Sequence, residues 1–160
     1  MALNPAVRLP PFQHLLDAHA VDLHRFCVAQ AGPDHGADCF QEAVIAALRA
    51  YPSLQDDRNL RGWLFTIAHH KVLDHHRATG RRPVPIGDGP DRPTGGVAPV
   101  DDDLWRAVNR LPGKQRGAIA LRYLGDLPYA EIGVALGCSE AAARQNVRAG
   151  LAGLRQEVTR

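Results

Sequence analysis

Tyr129-Ala-Glu-Ile-Gly-Val-Ala-Leu-Gly-Cys-Ser-Glu-Ala-Ala-Ala-Arg-Gln-Asn-Val-Arg148 decides how the chain is read. It has the pattern of a short helix, a glycine-containing turn and a longer basic helix, which is helix-turn-helix spacing. Gly133 lets two helices approach closely, and Gly137 takes a turn conformation that side chains resist. Ser139 is placed to cap the second helix, whose inward stripe is Ala143, Val147, Leu151 and Leu154, with Arg144, Arg148 and Arg155 outside. An ordinary αα-hairpin gives the same pattern, so recognition of DNA needs a second argument.

Charge supplies one. The 160 residues carry 19 Lys and Arg against 17 Asp and Glu, a net +2 that hides a strong asymmetry. Basic and acidic residues number seven and eight over residues 1–79, three and five over 80–103, and nine and four over 104–160. The excess of five positive charges falls on the half that holds the helix-turn-helix pattern, as expected when that half meets a polyanion. All eight His lie in the other half.

Working outward, Pro112 and Pro128 each suit a first helical position, predicting helices near 112–124 and 128–136 with Gly125-Asp126 between them. Asp101 to Asp103 place negative charge before a helix whose stripe is Leu104, Val108 and Leu111. Upstream, ten of the 21 residues from Gly80 to Val100 are Gly or Pro, which reads as a linker.

Before the linker, Phe12, Leu15, Leu16, His19, Leu23, Phe26 and Cys27 predict a first helix fading near Gly32-Pro33. Asp34 is the expected cap of a second, with Ala37, Phe40, Val44, Ile45 and Leu48 as its buried stripe and a stop near Pro52. Asn59 is the expected cap of a third, with Leu60, Leu64, Ile67, Ala68 and Val72 buried and Trp63 and Phe65 flanking. No apolar/polar alternation appears. The expected fold is therefore all-α: two small helical domains, 1–79 and 104–160, joined by a linker over 80–103.

The longest apolar run, Ala43 to Leu48, is far short of the roughly 20 residues that cross a bilayer. The first ten residues lack the charged start and apolar stretch of a signal peptide, so a cytoplasmic protein without membrane insertion is expected. Cys27, Cys39 and Cys138 have neither disulfide-framework nor zinc-ribbon spacing and read as small buried thiols.

Two further segments make the reading definite. Ala37-Asp-Cys-Phe-Gln-Glu-Ala-Val44 and Arg61-Gly-Trp-Leu-Phe-Thr-Ile-Ala-His-His-Lys-Val-Leu-Asp-His-His-Arg77 precede the linker, and Leu111-Pro112 through Arg155 follows it. Over nearly its full length the chain resembles a bacterial extracytoplasmic-function (ECF, group 4) RNA polymerase sigma factor. The resemblance implies that residues 11–79 dock on the clamp helices of core RNA polymerase and open the -10 element of promoter DNA. Residues 104–160 would read the -35 element. It further implies that Asp38, Gln41 and Glu42 meet the polymerase, and that Arg61, His69, His70, Lys71 and Arg77 serve the -10 strand. Ser139, Glu140, Arg144, Gln145 and Arg148 would serve the -35 duplex. His70 departs from the family's usual Asn, and Asn146 and Ala149 stand where Arg is frequent, which would weaken phosphate contact or shift it to Arg144 and Arg148. The family commonly has an anti-sigma partner. No catalytic residue, metal or cofactor is expected.

The residues agree with these roles. Asp38 and Glu42 lie one helical turn apart outside the apolar stripe, suited to basic groups of a partner or simply to hydration. The tract from His69 to Arg77, beside Trp63 and Phe65, suits phosphates and unstacked bases, although Trp63, next to Leu64 and Ile67, fits the core better. Two other classes compete. An autonomous helix-turn-helix repressor explains the second half and leaves the first motif idle. A His-rich metallohydrolase would exploit the eight His, but His14/His19, His19/His24 and His70/His75 are five apart, not the four that aligns two ligands on one helical face.

Overall fold

The helix boundaries follow from local chemistry. In the computed structural model, which describes residues 8–79 and 102–159, the first helix α1 is Phe12–Ala31, entered after Pro11 and ended at Gly32 with φ 87°. Tyr51 donates a hydrogen bond to the Pro10 carbonyl and its ring meets Phe12 edge-on, pinning the entry to α1. α2 is Gly36–Ala50, followed by a 3-10 turn over Tyr51–Ser53 where Pro52 ends it. Its N-cap is His35 rather than the expected Asp34, and no side chain caps it.

α3 is Leu60–Thr79 and begins as its sequence signals: Asn59 Oδ1 accepts from the Gly62 amide at 2.9 Å. The described part of the second half opens with α4, Asp102–Asn109, so the last two residues of the expected linker are helical. The rest of that linker lies outside the described residues. α5 is Gly113–Tyr123, α6 Tyr129–Leu136 and α7 Glu140–Val158. Pro112 and Pro128 stand at the N-caps, one position earlier than expected. All elements among the described residues are helical, and none is long and apolar enough to cross a membrane.

α1, α2 and α3 pack on one another, as do α5, α6 and α7, and the two halves then share a single apolar core. α1 touches α4 and α5, and α3 touches α5 and α6. Leu23, Phe26, Leu64, Phe65, Leu121, Leu127 and Ile132 are fully buried, with Phe26 and Phe65 edge-on at 5.2 Å.

Two apolar stripes differ from expectation. α2 buries its small side, Gly36, Cys39, Ala43 and Ala47, while Ile45 and Leu48 are 49% and 54% exposed. Small residues let α2 lie close to α1 and α3, and the larger ones are turned outward. Val108 in α4 and Leu111 just after it are buried, but Leu104 is exposed. Trp63 is half-buried against the core, its ring 5.9 Å from that of Tyr51. Burial pushes the thiols of Cys27 and Cys39 up to about 12 and about 11, which suits inert core thiols.

Candidate nucleic-acid interface

The helix-turn-helix is built by its two glycines. α6 ends at Gly137 with φ 70°, Cys138 donates to the Gly133 carbonyl at 2.9 Å, and Gly137 donates to that of Val134 at 3.3 Å. This is a Schellman closure, which satisfies the last carbonyls of α6 and turns the chain sharply. A side chain at Gly133 would bring its Cβ within 2.7 Å of the Cys138 carbonyl oxygen. Ser139 then accepts from the Ala142 amide at 3.0 Å and starts α7.

Ala143, Val147, Gly150 and Leu154 are the buried side of α7, so Glu140, Arg144, Gln145 and Arg148 are all exposed. Glu140 accepts from Arg144 at 3.1 Å. The guanidinium of Arg144 also lies 4.9 Å from the centre of the Tyr129 ring, and that of Arg122 lies 4.5 Å from it. The outward side of α7 is thus polar, cationic and held in orientation by α6. Such a helix enters a major groove with its first turns against base edges.

A second outward surface lies on α2. Asp38, Gln41 and Glu42 are exposed there, together with Ile45 and Leu48. The two apolar residues were missed because they share the helical spacing of a buried stripe, and periodicity alone does not say which stripe is covered. The resulting patch, acidic with an apolar strip, has the composition of a docking face.

The residues expected to meet the -10 strand are not brought together. Arg77 is exposed and Lys71 half-buried, but His69 is only 1% exposed, which corrects the expectation that it faces DNA. It lies against α5, where a methyl on Gly117 would stand 2.8 Å from its Cε1. Burial, then the nearby His70 and Arg116, pull its pKa down to about 4, so it is neutral at pH 7. His70 is exposed but its Nε2 donates to the Ala135 carbonyl of α6 at 3.3 Å.

Arg61 is likewise engaged. It donates to the Leu124 carbonyl at 2.6 Å and the Gly125 carbonyl at 3.2 Å, meets His19 Nδ1 at 3.0 Å and Asp22 at 3.4 Å, and lies over the Phe65 ring. Nothing in the sequence pairs Arg61 with residues 63 and 64 positions downstream. Among the described residues no group of three or more His, Cys, Asp or Glu is arranged to hold a metal ion.

Comparison with known proteins gives this geometry its family. Residues 15–82 match the sigma-70 region 2 family and residues 101–154 the sigma-70 region 4 family. The ECF RNA polymerase sigma factor ShbA of Streptomyces griseus is 35% identical over 120 residues, covering 67% of this chain and 63% of ShbA. The ECF RNA polymerase sigma factor SigD of Mycobacterium tuberculosis is 32% identical over 149 residues, covering 84% and 70%. The chain thus spans about two thirds of the length of these relatives. Among solved structures, the sigma factor RpoE in complex with the anti-sigma factor NepR, from Bartonella quintana, superposes with a TM-score of 0.76. That match is 23% identical and covers 94% of this chain and 98% of the other. CnrH, in complex with the cytosolic domain of CnrY, gives 0.69 at 22% identity, covering 92% and 87%. Two region matches in the family's order, with a relative matched along most of both chains, place this protein in the ECF family of sigma-70 RNA polymerase sigma factors.

Proposed function

We propose that the chain directs core RNA polymerase to specific promoters and starts transcription there, performing no chemistry itself. In this reading the outward face of α2, with Asp38, Gln41 and Glu42 flanked by Ile45 and Leu48, docks on the polymerase clamp helices. The loop before α3 and α3 itself, with Arg61, His70, Lys71 and Arg77, capture the -10 strand, and α7 reads the -35 duplex through Arg144, Gln145 and Arg148. The observation that carries the reading is the exposed basic side of α7, held at a fixed angle by the Schellman turn. The fold neighbours solved with NepR and CnrY support an anti-sigma partner for this chain as well. An autonomous repressor leaves the acidic-apolar face of α2 without a role, and the His residues do not form a metal cluster among the described residues. Its place of action is the cytoplasm, where polymerase and chromosome meet.

Linker length gives the test. A chain of about 21 residues spans about 25 Å when relaxed and about 70 Å when taut, and residues 80–100 are that many. Two turns of DNA are about 68 Å. Protection of both promoter elements therefore requires polymerase to hold the two halves apart. Sequencing and footprinting DNA retained by the chain with core polymerase should give two protected elements, lost without polymerase. Failure to bind core polymerase, or protection of both elements by the free chain, would overturn the reading.

A further inference from the structure

Two guanidinium groups share one aromatic ring at the junction of α6 and α7. Tyr129, the first residue of α6, is half-buried against the core. Arg122 lies 4.5 Å from the centre of its ring and is itself fixed by donating to the Leu127 carbonyl at 3.0 Å. Arg144 approaches the same ring at 4.9 Å and donates to Glu140 Oε1 at 3.1 Å, one helical turn earlier on α7. Glutamate four residues before arginine is the favoured order of such a pair, and the first turn of a helix suits the carboxylate. Arg148 is also exposed, but its side chain makes no hydrogen bond, ion pair or ring contact among the described residues. The two arginines of the outward face are therefore prepared differently.

From this difference we propose that Tyr129 and Glu140 are positioning residues, which hold Arg144 to read one guanine of the -35 duplex and leave phosphate contact to Arg148. The proposal rests on α7 being the reading helix. It assigns Tyr129 a part in sequence preference although the ring belongs to the preceding helix. Because that ring lies on α6, the angle between the two helices, set by the turn at Gly137, also sets the direction of Arg144.

Reading a guanine requires a planar fork set on O6 and N7 together, so a misdirected guanidinium gains little from the base. A free arginine also gives up much rotamer freedom when it is fixed, and one already held by a ring and a carboxylate has less to lose on binding. Charge points the same way. Paired with Glu140, Arg144 brings little net charge to a phosphate, and the carboxylate itself is repelled by the DNA backbone. Arg148 keeps its full charge and its freedom, which suits a contact that is mainly electrostatic and carries no sequence information.

The test uses the full chain and a pool of duplexes with about ten randomised base pairs. The bound fraction is sequenced, and the most enriched duplex is titrated by anisotropy across a salt series. Arg144→Ala should relax preference at one G·C pair about tenfold, with a smaller change in salt slope than Arg148→Ala gives. Arg148→Ala should lower the slope by about one unit and keep the preference. Tyr129→Leu and Glu140→Ala should each relax preference at the Arg144 pair about two- to threefold, the worth of a surface cation–π contact or a helical ion pair. Tyr129→Phe, which keeps the ring, should behave as the unaltered chain does. Glu140→Ala should also bind the unselected pool more tightly, because a negative charge has left the DNA face, whereas a merely structural role predicts weaker binding to every sequence. Circular dichroism checks helix content, and the exposed Glu140 keeps the assignment testable should Tyr129→Leu lose it. Preference kept at that pair by Glu140→Ala, or by Tyr129→Leu with its helices intact, would overturn that residue's positioning role. An Arg144→Ala variant that weakens all sequences alike would overturn the division between the two arginines. An unaltered chain that enriches no base pair would instead remove α7 as the reading helix, and this assignment with it.

Discussion

Replacing Gly133 with alanine tests the helix-turn-helix geometry with a sign that separates two explanations. In an ordinary helix interior the change would stabilise by about 1 kcal/mol, because alanine has the higher helix propensity. Here the new Cβ would lie 2.7 Å from the Cys138 carbonyl oxygen and 3.2 Å from the carbonyl carbon and oxygen of Ser139. All three are backbone atoms, and the turn is anchored by the 2.9 Å bond from Cys138 to the Gly133 carbonyl. A tightly anchored turn yields little, so the strain falls near the upper end of the roughly 1–3 kcal/mol typical of overpacking. The balance is a net loss of about 1–2 kcal/mol, which at a urea m-value near 2 kcal/mol/M lowers the unfolding midpoint by about 0.5–1 M. The displaced start of α7 should also weaken binding to a -35 duplex. Gly137→Ala is the control: nothing lies within 4 Å of its Cβ, so its loss of about 1 kcal/mol comes from the left-handed backbone alone. A raised midpoint for Gly133→Ala would refute the close-approach argument outright.

Three other expectations follow from the same surfaces. Asp38→Lys with Glu42→Lys should weaken association with core polymerase at least about tenfold while circular dichroism stays unchanged, since both side chains are exposed; unaltered affinity would remove them from the docking face. Arg144→Ala and Arg148→Ala should each weaken binding to a cognate -35 duplex. A phosphate contact shows as a salt slope smaller by about one unit, and a base contact as relaxed preference at one base pair; wild-type binding by both across a salt series would reject α7 as the reading helix. The pH dependence of docking between the two halves has a definite sign. His69 is neutral in the docked chain because burial, His70 on α3 and Arg116 on α5 all oppose its protonation, while α6 places the apolar Leu136 beside Gly117. Released into water its pKa returns to about 6.5. The undocked or unfolded chain therefore binds the extra proton, and the stability that docking contributes, fully present above that value, weakens as pH falls from about 6.5 toward 4. Nuclear magnetic resonance of the His69 ring should find it titrating well below the ordinary range in the folded chain, and an ordinary titration would contradict its burial.

The sequence alone determined what depends on neighbours a few residues apart. Helix starts at Asn59 and Ser139, the turn at Gly137, the close approach at Gly133 and the outward set Arg144, Gln145 and Arg148 are consequences of local capping, backbone conformation and 3.6-residue periodicity. The order of the two motifs around the Pro/Gly segment was legible for the same reason. The tertiary structure decided which stripe of each helix is covered and by what. Ile45 and Leu48 keep the spacing of buried residues yet face outward, because three helices pack most closely through the small Cys39, Ala43 and Ala47 side. His69 carries a polar side chain in a polar tract yet is sealed, because α5 closes on it through Gly117 from 48 positions away. The pairings of Arg61 with the end of α5 and of Glu131 with the start of α3 have no local signature either. They exist only once two separately encoded helical units dock, since a helix end attracts charge whatever its position in the chain.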